Sequence, residues 1–158
     1  MRKIDALLSD YASHHATKGN VACHFVGIPL IVFGILSMLR VVRIAEGSGL
    51  LGSMTLAEVF IVVAFAFYLS LNGSLALAML VTLALLDGLA LCSGNWRAGL
   101  AAFVVGWIFQ GIGHAVYEKK SPSFLKNAVH LLVGPLFLVN EVLRIRHIEG
   151  PKAQGAGI

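Results

Sequence analysis

The sequence predicts an all-α fold: an integral membrane helical bundle of four to five transmembrane helices, preceded by a short amphipathic helix at the N-terminus. The first observation is composition, because 58% of the 158 residues are hydrophobic and only 13% are charged. A soluble domain averages about 45–50% apolar and about 25% charged residues, and one this small could not bury so much apolar surface. The second observation is that the apolar residues form five continuous runs. Since only helices and closed barrels cross a bilayer, such runs, rich in Leu and Ala, predict helices.

An amphipathic helix is predicted over 3–17, ahead of the first apolar run. The apolar side chains that recur there at helical spacing are Ile4, Leu7, Leu8 and Tyr11. Gly19 has the position of a left-handed helix stop, and Asn20 has that of the N-cap of the next helix. The charged residues in this segment and its lack of a long apolar stretch argue against a cleavable signal peptide.

Five apolar runs are the candidate spans, and they cover residues 25–39, 56–71, 75–91, 100–117 and 129–143. The first and the fifth are shorter than the roughly 20 residues that a span prefers, so four spans with a partly embedded helix are an alternative to five. Extending the first run back to Asn20 brings it close to that length. A loop rich in Gly and Ser is predicted over 44–55, and tight turns are predicted at 72–74 and 93–95.

The chain is expected to form one membrane-embedded domain over 1–147, followed by a flexible tail over 148–158. Lys and Arg divide evenly between the two predicted sides of the membrane, so the positive-inside rule does not fix the orientation. The net charge of +4 is spread over segment ends rather than along a basic stripe, which argues against a nucleic-acid partner. We expect a bacterial inner membrane, or the endoplasmic reticulum membrane if the source is eukaryotic.

Four histidines lie at the ends of apolar runs, and simple alternation of five spans places all four on the same side of the membrane. These residues are His15, His24, His114 and His130. Ionisable groups at membrane depth are costly and indicate function, and imidazole is the commonest metal-ligating side chain. The pattern predicts a metal site at one mouth of the bundle, although each histidine alone fits an interfacial group or a helix cap. His14 is a weaker candidate ligand.

Polar residues four positions from these histidines are candidates for fixing the imidazole tautomers. Such residues share a helix face with their histidine, and metal-bound histidines need a partner for the second ring nitrogen. The candidates are Tyr11, Asn20, Gln110 and Glu118. An imidazole-rich site suits Zn, Cu, Fe or Ni, and the spacing does not choose among these metals. Asp87 is expected either to mark the end of a span or to make a buried polar contact.

The same residues form two motifs that resemble a known family, the 2-hydroxy fatty acid dioxygenases of the yeast alpha-oxidation type. The first motif is Tyr11-x3-His15-x4-Asn20-x3-His24-x2-Gly27-x-Pro29. The second is Gln110-Gly111-Ile112-Gly113-His114-x3-Glu118, followed by Ser121-Pro122-Ser123-Phe124 and Gly134-Pro135-Leu136-Phe137. The resemblance covers residues 10–143, and within 40–100 it is one of hydropathy only.

The resemblance implies an Fe(II)-dependent membrane dioxygenase that uses O2 to shorten a long-chain 2-hydroxy fatty acid by one carbon. It implies that His15, His24 and His114 hold the iron at the catalytic centre. His130 is a further candidate ligand, although relatives often have Gln there. The substrate tail is expected among the apolar helices, in contact with membrane lipid. Lys119 and Lys120, where relatives often have Gly-Arg, are candidates for pairing with the substrate carboxylate or for a plain interfacial role.

Two other function classes compete with this interpretation. One is an electron-transfer bundle with bis-histidine haem, whose ligands would face each other from different helices of the bundle. The other is a small transporter or structural membrane protein, in which the histidines only titrate or cap helices. A haem absorption band would favour the first, and absence of tightly bound metal would favour the second.

Overall fold

The computed structural model describes residues 3–15, 17–46, 53–119 and 128–145, and within these ranges the chain is almost entirely helical. The helices are α1 (Lys3–Ser13), α2 (Lys18–Leu39), α3 (Leu56–Leu71), α4 (Gly73–Ser93), α5 (Trp96–Ile112) and α6 (His130–Leu143), and the π-helix Gly113–Glu118 continues α5. Two short strands, β1 (Arg43–Ala45) and β2 (Met54–Thr55), form an antiparallel pair. The all-α prediction is confirmed, and the predicted loop over 44–55 carries this small hairpin.

Three helices are long and apolar enough to cross a membrane, counted over the described residues. They are α2 with 22 residues, α4 with 21, and α5 together with the π-helix with 23. The other two apolar helices, α3 and α6, have 16 and 14 residues and are shorter than a typical span. Many large apolar side chains point outwards, among them Val62, Val63, Leu77, Leu85 and Leu89. The membrane-protein prediction is therefore confirmed, and the count of four to five spans stays a prediction.

The N-terminal segment differs from its prediction in two ways. Helix α1 ends at Ser13, four residues earlier than predicted, and the N-cap of α2 is Thr17 rather than Asn20. The Thr17 hydroxyl accepts a hydrogen bond from the Asn20 amide at 3.3 Å, as an N-cap side chain does. Gly19 is not a helix stop but lies inside α2, where a Cβ atom would collide with the ring of Tyr117. The interpretation of Gly19 as a helix stop was wrong because glycine also occurs where helices pack closely together.

Helices α2 and α5 run antiparallel and touch through glycines. A Cβ atom on Gly27 would lie 2.8 Å from the Gly106 carbonyl oxygen, and one on Gly34 would lie 2.6 Å from the Gly99 carbonyl oxygen. Small residues let two helix backbones approach closely, which is a main source of helix association in membranes. This contact fixes the rotation of α2 against α5 and hence which of their side chains face each other.

An ion cluster joins three helices at the end of the bundle where α2 finishes. The Arg40 guanidinium donates to Asp87 Oδ2 at 2.7 Å and to Glu58 Oε1 at 3.0 Å. Asp87 therefore makes a polar contact that is partly buried, whereas a buried one was among its two predicted roles. Close to this cluster, Leu36, Ala57 and Ala90 form a small apolar core from α2, α3 and α4.

Some predictions concern residues outside the described ranges. These are the motif Ser121-Pro122-Ser123-Phe124, the carboxylate role of Lys120 and the tail over 148–158.

Candidate metal centre

Three of the four predicted histidines meet at the opposite end of the bundle. His15 follows α1, His24 lies in the second turn of α2, and His114 lies in the π-helix. Their ring centroids are 4.4 Å apart for His15 and His24, 5.1 Å for His15 and His114, and 5.0 Å for His24 and His114. One ligand nitrogen from each ring lies within 4.8 Å of the others, and all three side chains are buried. The break between α1 and α2 folds His15 back onto His24.

The tautomers of two of these rings are set by the backbone. His15 Nδ1 lies 2.7 Å from the carbonyl oxygen of Tyr11, and His24 Nδ1 lies 2.8 Å from that of Asn20. A carbonyl oxygen only accepts hydrogen bonds, so each Nδ1 carries the proton and donates it. Burial lowers the pKa of the His15 imidazole to about 4, so that ring is neutral near pH 7. Each Nε2 is then a lone-pair acceptor.

The two Nε2 atoms face each other across 3.0 Å. Two acceptor lone pairs at this distance repel each other unless a cation lies close to both. Two imidazole nitrogens bound about 2.1 Å from one metal ion, at a right angle, would be about 3.0 Å apart. The observed separation fits a shared metal ion, and the donor set of three imidazoles suits a first-row transition metal such as iron or zinc.

The π-helix presents His114 to the other two rings. Single π-turns inside α-helices are rare and frequent at functional sites, because the wider turn re-aims side chains. It ends at Lys119, whose φ of 54° is left-handed and whose amide donates to the His114 carbonyl. Among the described residues, His114 Nδ1 is buried without a hydrogen-bond partner. The side chain of His114 is therefore not fixed by a carbonyl as those of His15 and His24 are.

Glu118 ties the π-helix to the start of α2. Its Oε2 accepts hydrogen bonds from the Thr17 amide at 3.2 Å, the Thr17 hydroxyl at 3.0 Å and Asn20 Nδ2 at 3.1 Å. Asn20 thus supports the site twice, through its carbonyl to His24 and through its side chain to Glu118. The sequence analysis missed Thr17, although a threonine just before a helix start is a recognisable capping signal.

Tyr11 packs directly on the site. Its ring stacks on His15 with centroids 4.1 Å apart and an interplanar angle of 13°. Burial raises the pKa of the Tyr11 hydroxyl, so the phenol stays neutral at physiological pH. The ring also lies 5.1 Å from Phe137 of α6, so α6 holds α1 over the histidine end of the bundle.

His130 lies nearby but outside the group of three. Its Nε2 donates to Asp10 Oδ2 at 3.0 Å, and its Nδ1 is buried and unpartnered among the described residues. His14 is partly exposed and bonds to the Asp10 carbonyl at 2.9 Å instead of facing the three rings. Ligand roles for these two residues stay predictions.

An apolar cavity of about 450 Å³ opens beneath the three rings, within the range usual for small-molecule sites. All four predicted histidines and Tyr11 line one end of it, and side chains from α2, α3, α4, α5 and α6 line the rest. Gln110 also faces the cavity, and its Nε2 is buried with no hydrogen-bond partner among described residues. Gln110 therefore does not fix a histidine tautomer here. Lys119 is exposed and outside the lining.

Comparisons with known proteins point to one family. The sequence profile of the family described as 2-hydroxy-palmitic acid dioxygenase Mpo1-like matches residues 1–146. The 2-hydroxy-palmitic acid dioxygenase MPO1 of Saccharomyces cerevisiae is 36% identical, over a region that covers 86% of this chain and 77% of the yeast protein. No solved structure matches. The profile spans all the residues of the histidine group and of the cavity.

Proposed function

The chain belongs to the 2-hydroxy-palmitic acid dioxygenase Mpo1-like family, and on that premise we propose that it is a membrane dioxygenase of 2-hydroxy fatty acids. In the proposed reaction O2 cleaves the C1–C2 bond of a long-chain 2-hydroxy acid and leaves a fatty acid one carbon shorter. The reaction balances with CO2 and water as the other products, because this oxidation removes as many electrons as one O2 molecule accepts. The reaction therefore needs no reductant other than the 2-hydroxy acid itself.

The observation that carries the proposal is the pair of opposed acceptor nitrogens on His15 and His24, with His114 beside them. We assign these three imidazoles as the ligands of Fe(II). When bound, iron would supply redox chemistry toward O2 and act as a Lewis acid for the substrate's carboxylate and hydroxyl. Three neutral ligands leave the charge of a divalent ion uncompensated, which favours an anionic substrate beside it.

The protein groups around the ligands have separate tasks in this proposal. The carbonyls of Tyr11 and Asn20 orient His15 and His24 through their Nδ1 protons, as outer partners do in metal sites. Glu118 holds the start of α2 against the π-helix and so keeps His114 in reach of the other two rings.

The cavity can bind both the acyl chain and the head group of the substrate. Its apolar walls suit the acyl chain, which is drawn from the bilayer, and exclude water from the reacting carbon. The unpartnered Gln110 Nε2 is a donor at the histidine end, where it can bind the carboxylate, since a buried donor without a partner costs about 1–3 kcal/mol. We place the acceptor His130 Nδ1 near the 2-hydroxyl. Lys119, with Lys120, remains a candidate for contact with the carboxylate during access from the membrane surface.

A haem electron-transfer function fits the site less well. A porphyrin would have to lie between two axial imidazoles, but the His15 and His24 nitrogens are only 3.0 Å apart. A bacterial inner membrane, or the endoplasmic reticulum membrane in a eukaryote, is the location that we propose.

The proposal is tested by purifying the protein anaerobically in detergent and measuring bound metal, then O2 uptake with 2-hydroxypalmitate. We expect about one iron per chain, O2 uptake with 2-hydroxypalmitate, none with palmitate, and no haem absorption band. Iron-loaded protein that consumes no O2 with any 2-hydroxy fatty acid would overturn the function. Turnover that persists after complete removal of metal would overturn the ligand assignment.

A further inference from the structure

Three large side chains line the end of the cavity that lies farthest from the histidines along the helices, and we refer to this end as the blind end. These are Ile35 on α2, Phe60 on α3 and Phe103 on α5. Ile35 lies eleven residues beyond His24 along α2, and at a rise of 1.5 Å per residue this is a depth of about 17 Å. One leaflet of the hydrocarbon core is about 15 Å thick, half of the usual 30 Å. The cavity therefore has the length of an acyl chain of a membrane lipid.

The blind end is built on well-packed structure. Phe60 lines the cavity and also packs on the small core of Leu36, Ala57 and Ala90, whose side chains are almost completely buried. The backbone at Phe103 is pressed against α2, since a Cβ atom on Gly34 would lie 2.7 Å from the Phe103 Cβ. The Phe103 ring packs edge-on against Trp107, 6.2 Å away. These contacts keep the end of the cavity in one place.

We propose that Phe103 and Phe60, together with Ile35, set the longest acyl chain that this protein accepts. This inference rests on the proposed function and adds the residues that determine chain length. With the head group held at the histidine end, each further methylene must fit between that end and the two phenylalanine rings. A chain that reaches the rings fills the cavity, and a longer one collides with them.

The test is a profile of kcat/KM over saturated 2-hydroxy acids, measured by O2 uptake, with 2-hydroxylaurate, 2-hydroxypalmitate and 2-hydroxyarachidate. In Phe103→Ala the cavity is deeper, and we expect the preference to move to the longer acids. Burial of one methylene contributes about 0.8 kcal/mol, or about fourfold, so the arachidate to palmitate ratio should rise by about tenfold or more.

The opposite change is to fill the cavity part of the way down. Ala64 lies one helical turn above Phe60 on the same cavity wall. In Ala64→Leu we expect the profile to shift toward 2-hydroxylaurate, with a loss of about tenfold on 2-hydroxypalmitate. The matched control is Phe33→Ala, which also replaces a phenylalanine by alanine. Phe33 lies two residues before Ile35 on α2 and does not line the cavity. The chain-length profile of this variant should equal that of the wild type.

The outcomes separate the two proposals. A wild-type protein that oxidises no 2-hydroxy acid contradicts the proposed function itself. An active wild type whose profile is unchanged in both Phe103→Ala and Ala64→Leu, or is moved as strongly by Phe33→Ala, contradicts the role of the blind end alone. If Phe103→Ala does not fold, Phe103→Leu makes the same test with a smaller cavity change, together with Ala64→Leu.

Discussion

The two ends of the bundle each hold a polar cluster, one partly exposed and the other buried, and the clusters differ in how their polar groups are paired. At one end the cation is part of the chain, because Arg40 lies between the carboxylates of Glu58 and Asp87. At the other end the chain brings together His15, His24 and His114, whose ring nitrogens lie close enough together to bind one metal ion. A buried polar group is tolerable only when it is paired. The first cluster is therefore a structural clamp, whereas we propose that the second binds a metal ion.

The supports of the two clusters differ as well. Around the histidines, backbone carbonyls fix two of the rings, and Glu118 links segments about one hundred residues apart in sequence. Around Arg40, Glu58 also closes the capping box at the start of α3, where it accepts from the Thr55 amide and hydroxyl. Metal affinity should thus depend on the histidine end, and stability should depend on both ends.

The largest effect is expected from removing a ligand. In His24→Ala one of the two opposed nitrogens is lost, and we expect loss of bound iron and a fall in activity of more than about 100-fold. Replacing a residue that only hydrogen-bonds to a metal ligand usually costs about 10- to 100-fold. Metal analysis and O2 uptake measure both. The control is His14→Ala, which removes a partly exposed imidazole next to the site. A His24→Ala protein that keeps stoichiometric iron would contradict the assignment.

A smaller effect is expected from Glu118→Gln. The amide keeps the shape of the side chain but loses the negative charge that accepts from Thr17 and Asn20. We expect iron to bind about 10- to 100-fold more weakly, measured by competition with a chelator.

Glu58→Gln is the matched change at the opposite end, and it should leave the affinity for iron unchanged. Equal weakening in the two variants would mean that the two ends are not separate in function.

The next prediction concerns the contact that aligns α2 with α5. In Gly106→Ala the new methyl group would lie 2.7 Å from the Gly27 carbonyl oxygen and from Ile31, so the helices must separate. We expect a loss of about 1–3 kcal/mol in the free energy of unfolding. Gly111→Ala on the same helix meets nothing within 4 Å and should be neutral or stabilising. Thermal unfolding in detergent compares them, and equal losses would contradict the packing argument.

The last prediction concerns the clamp, where we expect an effect on stability alone. In Arg40→Met two carboxylates lose their common cation, although Glu58 keeps access to water. We expect a loss of about 1–3 kcal/mol in stability, between the values for exposed and buried pairs, and unchanged iron content. Unfolding curves and metal analysis of the same sample measure this. Loss of iron from a folded Arg40→Met protein would show that the clamp also shapes the site.

Much of the fold follows from local sequence. The apolar runs located the helices within a few residues, and the run at 56–71 matches α3 at both ends because Thr55 and Asn72 cap it. The boundaries that were wrong lie at Thr17 and Gly19, where a distant residue decides. Gly19 is a packing contact for Tyr117, and a single sequence does not show which distant residue packs against a glycine.

The site was predictable only in outline, because the alternation of spans fixes no more than the side of the membrane on which a residue lies. It placed four histidines on one side, but it did not show that His130 would pair with Asp10 or that Gln110 would face the cavity without a partner. Those outcomes depend on how each helix is rotated about its axis. For α5, which carries Gln110, that rotation is set by glycine contacts with α2, and for α6, which carries His130, Gly134 lies close to Tyr11 and Ile28. These contacts join residues far apart in the chain.

The sequence by itself determined a membrane helical bundle, the candidate ligands and their common side, because hydropathy and spacing are local properties. Only the tertiary structure decided that His15, His24 and His114 converge, that two of their acceptor nitrogens oppose each other across 3.0 Å, and that the cavity ends at Phe60 and Phe103. The physical reason is that these distances depend on how separate helices pack against each other, as in the hydrogen bonds that join Glu118 to Thr17 and Asn20, and no local pattern encodes that packing.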